Sequence, residues 1–373
     1  MSKKIGILTL PIGRGYGGIL QNYALQKVLK KEGADPVTIN LRKEVSDIRL
    51  VLGSIKRMIL TNDFSTRSIL TNSKLRYQTE QLRRFIATHI KLSDPITSEE
   101  QFSTYVTVLD PIAIVVGSDQ VWRPEYTPVF SPYLLQDISD NGIRKYAFSA
   151  SFGYAPHNLF KSDIKQMTTA LRKFDGISLR EDDATTYCQT KLKYGNSFTT
   201  VDPTMLLKRE NYDELLENRI ATPTGAFVYL LDSTKEAKER VQIILKNVGM
   251  NVFSCEPDNE LTPLVSGLKE GQIPSIEQWL SSIRNADLII TDSFHCAVFS
   301  SIYGKPFVCI ENKNRGNSRF ETLKKYVTDD FRFSSTNNWE FKKILRPFGG
   351  YSDLFRRRQE ISYEYIHRIA NNH

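Results

Sequence analysis

Asp287–Ile310 reads DLIITDSFHCAVFSSIYGKPFVCI, and the rest of the chain is organised around it. Asp287–Ile290 is a short aliphatic run, the pattern of a buried parallel strand. Thr291-Asp292-Ser293 are helix N-cap types. Phe294–Tyr303 then has helical spacing, with Phe294, Val298 and Ile302 on one face. Gly304 suits the helix stop, and Lys305-Pro306 leads into a second strand, Phe307–Ile310. The unit is strand–helix–strand, and its strand-to-helix turn is where open α/β sheets bind ligands. His295 sits on that turn, among free N–H groups suited to an anion. As a histidine near a helix start it can equally be a satisfied structural residue.

The chain on either side repeats this alternation. Lys4–Leu10, Leu20–Lys31 and Pro36–Leu41 read as strand, helix, strand. Ala113–Val116, Arg144–Ser149, Gly176–Leu179 and Phe198–Val201 are further strands of a first domain, residues 1–206. A basic helical insertion fills about 45–105. A second domain, 207–345, has strands at Ala226–Leu231 and Asn251–Cys255 before the opening stretch. A charged final helix, Asp353–Asn371, lies in a last segment, 346–373. The expected class is α/β, two doubly wound Rossmann-like domains facing each other. At 373 residues the chain is long for one core and fits two.

With 40% hydrophobic and 25% charged residues, the composition is globular rather than disordered. The net charge of +8 suits an anionic ligand or an anionic membrane surface. Nucleic acid is not expected, because no compact Lys/Arg run carries interleaved aromatics. No segment approaches the ~20 apolar residues that span a bilayer. Cys188, Cys255, Cys296 and Cys309 have no metal spacing, and are read as buried thiols in a reducing cytoplasm.

Gly13-Arg14-Gly15-Tyr16-Gly17-Gly18 fits the pattern GxGxxG, yet the strand after it ends Ile39-Asn40-Leu41-Arg42, with no carboxylate for a ribose. Arg42 leaves a 2′-phosphate open. The other readings are close backbone approach and a loop beside a ligand. Gly117-Ser118-Asp119-Gln120-Val121-Trp122 closes a strand with polar groups and a Trp, suited to a sugar or to a capped turn over a buried ring. Ser149 and Ser151 are small and polar at the next tip, and Arg180 ends the strand after that. Arg180 faces either the crevice or the acids Glu181-Asp182-Asp183. Asn314, Arg315 and Arg319, on the basic stretch after Ile310, face an anion or solvent.

The chain resembles the polysaccharide pyruvyl transferase family in six blocks in the family's order. They are Tyr16–Gln26, Val116–Trp122, Phe148–Gly153, Ser178–Glu181, Val201–Thr204, and Thr291–His295 running on to Gly304–Phe307. Cys296 departs from the glycine expected after the histidine. The resemblance implies a fold like the GT-B glycosyltransferases, with the active site between an acceptor-side first domain and a donor-side second, and a final helix crossing back. It implies a transferase moving pyruvyl from phosphoenolpyruvate onto two hydroxyls of a capsular or exopolysaccharide precursor, with release of phosphate. Arg180 would bind the donor anion and His295 act as acid/base, with Ser293, Asn314, Arg315 and Arg319 as further donor contacts. Candidate acceptor contacts are Tyr16, Gly17, Gly18, Asn22, Asp119, Gln120, Trp122, Ser149 and Ser151. Asp119 and Asp292 are candidate bases. The reaction needs no metal or cofactor besides the phosphoenolpyruvate substrate. The expected location is cytoplasmic, with a lipid-linked acceptor at the inner membrane face fitting the basic charge. A nucleotide-sugar glycosyltransferase and a non-catalytic glycan binder are the alternatives.

Overall fold

The computed structural model describes residues 3–61, 69–138, 142–153, 159–216, 223–232, 234–255, 271–310, 318–329, 332–334 and 340–371. The first domain opens with β1 (Lys3–Leu8), α1 (Tyr16–Lys31) and β2 (Ala34–Thr38). The insertion forms α2 (Asp47–Thr61), α3 (Asn72–Gln78), α4 (Glu80–His89) and α5 (Glu99–Leu109). Then come β3 (Ala113–Asp119), β4 (Arg144–Ala150), α6 (Lys161–Leu171), β5 (Gly176–Leu179), α7 (Asp182–Thr190) and β6 (Phe198–Thr199). The strands form one six-stranded parallel sheet in the order β2-β1-β3-β4-β5-β6.

The second domain contains α8 (Arg209–Asp213), β7 (Ala226–Tyr229), α9 (Lys235–Val248), β8 (Val252–Phe253) and α10 (Ile276–Asn285). It continues with β9 (Leu288–Thr291), α11 (Phe294–Ile302), β10 (Phe307–Ile310), α12 (Ser318–Tyr326), β11 (Phe333–Ser334) and α13 (Phe341–Ile344). Its five-stranded parallel sheet runs β11-β10-β9-β7-β8. Each sheet reverses its strand order once, between β1 and β3 in the first and between β7 and β9 in the second. A crevice opens at the carboxyl ends of strands that diverge in this way. The fold is α/β, two Rossmann-like domains in a GT-B-like arrangement.

The opening stretch forms as its residues dictate. β9 and β10 are fully buried and read as continuous apolar runs. Ser293 caps α11, its Oγ accepting from the Cys296 N–H at 3.4 Å. Every α11 residue from Phe294 to Ser301 is buried. A helix apolar all round belongs in an interior.

The final helix, α14 (Asp353–Asn371), lies on the first domain. Its Tyr365 stacks on Phe148 at 6.0 Å and meets Phe198 edge-on at 4.9 Å. Gly176 makes room for it, since a Cβ there would lie 2.6 Å from the Tyr365 hydroxyl. Ser362 Oγ accepts from the Val201 N–H at 3.1 Å. The domains also share one apolar core. Tyr16 of α1 stacks on Trp279 of α10 at 5.0 Å and meets Tyr229 of β7 edge-on at 5.9 Å.

α1 differs most from its sequence reading. It begins at Tyr16, so Gly17 and Gly18 form its first turn instead of a loop. Gly13 and Gly15 face open space. The GxGxxG pattern therefore divides between a short connection and a helix.

Candidate active site

The two crevice-lining turns meet directly. A Cβ on Gly17 would lie 2.2 Å from His295 Nδ1, so only glycine lets α1 pass the imidazole. His295, the second residue of α11, is 8% exposed. Its Nε2 lies 3.5 Å from Asp202 Oδ2 and makes no hydrogen bond among the described residues. The second domain's histidine thus faces a carboxylate of the first.

Asp202 belongs to a buried cluster built from the tips of β3, β4 and β5. Arg180 follows β5 and is 2% exposed. Its Nη1 donates to Asp202 Oδ2 at 2.9 Å, its Nη2 to Asp119 Oδ1 at 3.3 Å and its Nε to Glu181 Oε1 at 3.3 Å. The other Asp202 oxygen accepts from the Thr204 N–H at 3.0 Å and its hydroxyl at 2.7 Å. Ser118 Oγ bridges the Ser149 carbonyl at 3.2 Å and Asp202 Oδ2 at 3.4 Å. Ser151 Oγ donates to Glu181 Oε1 at 2.7 Å.

The charges follow from this packing. Burial would raise the Asp202 pKa, but His295, Arg180 and Thr204 hold it well below the usual carboxylate range. Burial opposes charge on Arg180, and Glu181, Asp119 and Asp202 more than restore it. Burial pushes the Glu181 carboxyl up, against the pull of Arg180 and Ser151. Glu181 Oε2, Ser149 Oγ and His295 Nε2 are buried and make no hydrogen bond among the described residues. Buried polar groups are nearly always paired, so unpaired ones grouped at strand tips are unusual.

The backbone is strained at the same place. Asp119 has φ 80° and Ser149 φ 48°, both in the left-handed region. Non-glycine residues there cost of order 1–3 kcal/mol each and persist where their surroundings over-determine them. Here the Asp119 carboxylate accepts from Arg180 and the Ser149 carbonyl from Ser118, so both residues are tied to the Arg180–Asp202 network.

The predicted site residues divide clearly. Arg180, His295, Gly17, Gly18, Asp119, Ser149 and Ser151 converge, with Ser293 capping the histidine's helix. A Cβ on Gly18 would lie 3.8 Å from Asp119 Oδ2. Arg319 is buried, its guanidinium 6.0 Å from the Phe294 ring. Asn314 and Arg315 lie outside the described residues. Four acceptor expectations are corrected. Trp122 is fully buried and its Nε1 donates to the Tyr133 carbonyl at 3.2 Å, so it offers no stacking face. The Tyr16 hydroxyl donates to the Pro274 carbonyl at 2.9 Å inside the shared core. Asn22 is wholly buried and accepts from Thr38 Oγ1 at 2.9 Å. Gln120 Oε1 accepts from Arg123 at 3.1 Å, folded against Gly153. Asp292 is not placed as a base, because both its oxygens accept backbone N–H groups, of Leu231 at 2.6 Å and Asp232 at 3.1 Å.

Arg180 pairs with Glu181 but not with the other two acids. Asp182 binds Lys325 and Arg358, and Asp183 binds Ser318. Asp202 was the residue that sequence reasoning missed. It stands in the block Val201-Asp202-Pro203-Thr204, where Asp before Pro reads as an ordinary cap. Among the described residues no group of His, Cys, Asp and Glu is arranged to hold a metal ion. No described helix is long and apolar enough to cross a membrane.

The sequence pattern of the family described as polysaccharide pyruvyl transferase matches residues 16–314, from the turn at Gly17 to beyond His295. The chain belongs to that family. The family's name makes it a transferase. No curated protein matches the chain in sequence. Among solved structures, the UDP-GlcNAc 2-epimerase from Methanocaldococcus jannaschii is similar at 14% identity and TM-score 0.55, over 99% of this chain and 100% of that one. The UDP-N-acetylglucosamine 2-epimerase from Rickettsia bellii is similar at 11% identity and TM-score 0.53, over 100% of this chain and 97% of that one. At such identities the likeness shows the two-domain fold alone.

Proposed function

We propose that the chain transfers the pyruvyl group of phosphoenolpyruvate onto two hydroxyls of a sugar in a cell-surface polysaccharide precursor. The observation that supports this best is the approach of His295 from the second domain to the Asp202–Arg180 pair of the first, 3.5 Å across the domain boundary. Ketal formation moves protons in both directions. The enol CH₂ of the donor takes one proton and becomes a methyl group. One sugar oxygen bonds to the neighbouring carbon as its own proton leaves. The carbon–oxygen bond to phosphate breaks, and the second hydroxyl replaces it, its proton leaving with phosphate. Two hydroxyl protons are thereby consumed, one on carbon and one on phosphate, and no oxidant is needed.

A histidine opposite a carboxylate held ionised at neutral pH suits the first proton transfer. Asp202 would hold the imidazole in place. Asp119 is the most exposed of the three carboxylates on Arg180, its side chain 17% exposed, and serves as the base toward a sugar hydroxyl. Arg180 already donates to three carboxylates, so it meets the donor only where Asp119, held at 3.3 Å, yields. The N–H groups at the start of α11, with Arg319, supply the remaining attraction for an anion.

Incubation with phosphoenolpyruvate and a panel of lipid-linked sugars, read by mass for an added ketal and by released phosphate, tests this directly. His295→Ala and Asp202→Asn should each abolish phosphate release while the chain stays folded. Nucleotide release from a nucleotide sugar, with phosphoenolpyruvate untouched, would instead support a glycosyltransferase. Glycan binding with neither release would support a binding module.

A further inference from the structure

α2 carries an apolar stripe facing away from the protein. Ile48, Leu52, Ile55 and Ile59 are 74%, 60%, 43% and 64% exposed. Successive helical residues advance by about 100°, which places these four within roughly 60° of arc. Four large aliphatics on one exposed line are a different matter from scattered surface leucines. Arg49 and Lys56, both exposed, lie about 70–90° round the helix from the stripe. Exposed Arg42 and Lys43 precede it, alongside Glu44.

The attachment of α2 explains why the stripe faces outward. Asp47 Oδ1 accepts from the Asn72 N–H at 2.6 Å, and Ser54 Oγ from the Leu70 N–H at 2.9 Å. Both tethers lie about 110–130° from the stripe. Asp47, the helix's own acid, is therefore turned back toward the protein. Leu50, Val51 and Met58 are half-buried on the flank away from Lys56.

We infer that α2 docks on an anionic membrane surface, its aliphatic stripe in the headgroup–acyl boundary and its cations at the anionic headgroups. A single convex helix with an apolar line and a basic flank suits a planar interface. The net charge of +8 adds attraction to anionic lipid. The position of α2 gives docking a consequence. It follows β2, and every strand of that sheet is parallel, so the chain enters α2 from the same end of the sheet as the tips carrying Asp119, Ser149 and Arg180. A docked α2 places the crevice end of the first domain nearest the lipid. That is where an acceptor on a lipid carrier would arrive.

The test is flotation of the full chain with phosphatidylcholine vesicles, with and without phosphatidylserine. The vesicles contain neither donor nor acceptor, so the result is independent of the transfer reaction. Binding should require phosphatidylserine and weaken as salt rises. Leu52→Ser with Ile59→Ser should remove binding, and Arg49→Ser with Lys56→Ser should lower it about tenfold or more. Val108→Ser, at a residue 76% exposed on α5, should leave binding unchanged. Slower hydrogen exchange over 47–61 when vesicles are added to the unmodified chain gives a readout that needs no variant. Binding that survives loss of the stripe overturns the inference, as does no binding to either vesicle. A dimer in solution that the stripe variant dissociates does so too, and makes α2 a contact between copies.

Discussion

The two walls of the crevice are built on opposite principles. On the first-domain side, Arg180, Asp119, Glu181 and Asp202 are locked into one buried network, with strained backbone at Asp119 and Ser149. On the second-domain side, His295 stands on a helix capped by Ser293, its Nε2 making no hydrogen bond among the described residues and lying 3.5 Å from Asp202. One wall fixes charge and the other presents a single group able to take or give a proton. A site that must orient a proton carrier against a stable field needs both.

The locked wall can be broken most severely at its centre. Arg180→Met leaves Asp119, Glu181 and Asp202 without their shared cation. Removing one partner of a buried ion pair typically costs about 3–5 kcal/mol. A large drop in thermal midpoint is expected, measured by calorimetry. An unchanged midpoint would mean that the network does not hold this wall together.

The contact between the walls is tested at Gly17. In Gly17→Ala the new methyl would lie 2.2 Å from His295 Nδ1, so the imidazole or the helix must move. A displacement near 1 Å at a reacting group can cost about a hundredfold in rate. Phosphate release from phosphoenolpyruvate should fall by about that factor. Gly13→Ala, with nothing within 4 Å of its Cβ, is the silent control. Equal rates in the two variants would detach His295 from the site.

A smaller effect separates scaffold from ligand contact. Tyr16→Phe removes the hydrogen bond to the Pro274 carbonyl and keeps the stack on Trp279. A buried neutral hydrogen bond is worth about 1 kcal/mol. Stability should fall by that amount, with the acceptor KM unchanged. A raised KM at constant stability would return Tyr16 to the acceptor side.

Much of this was legible from local pattern. The β9–α11–β10 unit has apolar strands, a Ser cap and a stopping glycine, and each acts within a few residues of itself. His295 and Arg180 were visible because a polar residue at a parallel strand's tip has few places to point. Trp122 misled because a Trp after a strand tip looks the same whether its ring meets a sugar or the core formed with Phe152 and Phe174. Only the Tyr133 carbonyl, supplied by a distant turn, decides between them. The place of Asp202, and the contact of Gly17 with the imidazole, were hidden for a related reason. Their meaning lies in contacts with a histidine far along the chain, across a domain boundary no local period crosses.

The smallest expected effect separates two carboxylates within the locked wall by pH. The Asp202 pKa is depressed in the folded chain, so its stabilisation is complete above the ordinary value of 3.8 and is lost as pH falls below it. The Glu181 pKa is raised, so its contribution is complete below the ordinary value of 4.5 and is lost as pH rises through the folded one. The two slopes are opposite in sign, although both residues bind the same guanidinium. Glu181→Gln keeps an acceptor for Ser151 and Arg180 and removes the charge that burial penalises. Its midpoint should match the unmodified chain in acid and exceed it slightly as pH rises. Asp202→Asn should lose most near neutrality and converge with the unmodified chain in acid. Thermal melting from roughly pH 1 to 8 reads both differences, the Asp202 curve converging below its ordinary value and the Glu181 curve diverging above its own. Parallel curves for the two variants would mean that Asp202 and Glu181 share one environment, and that the approach of His295 does not set Asp202 apart.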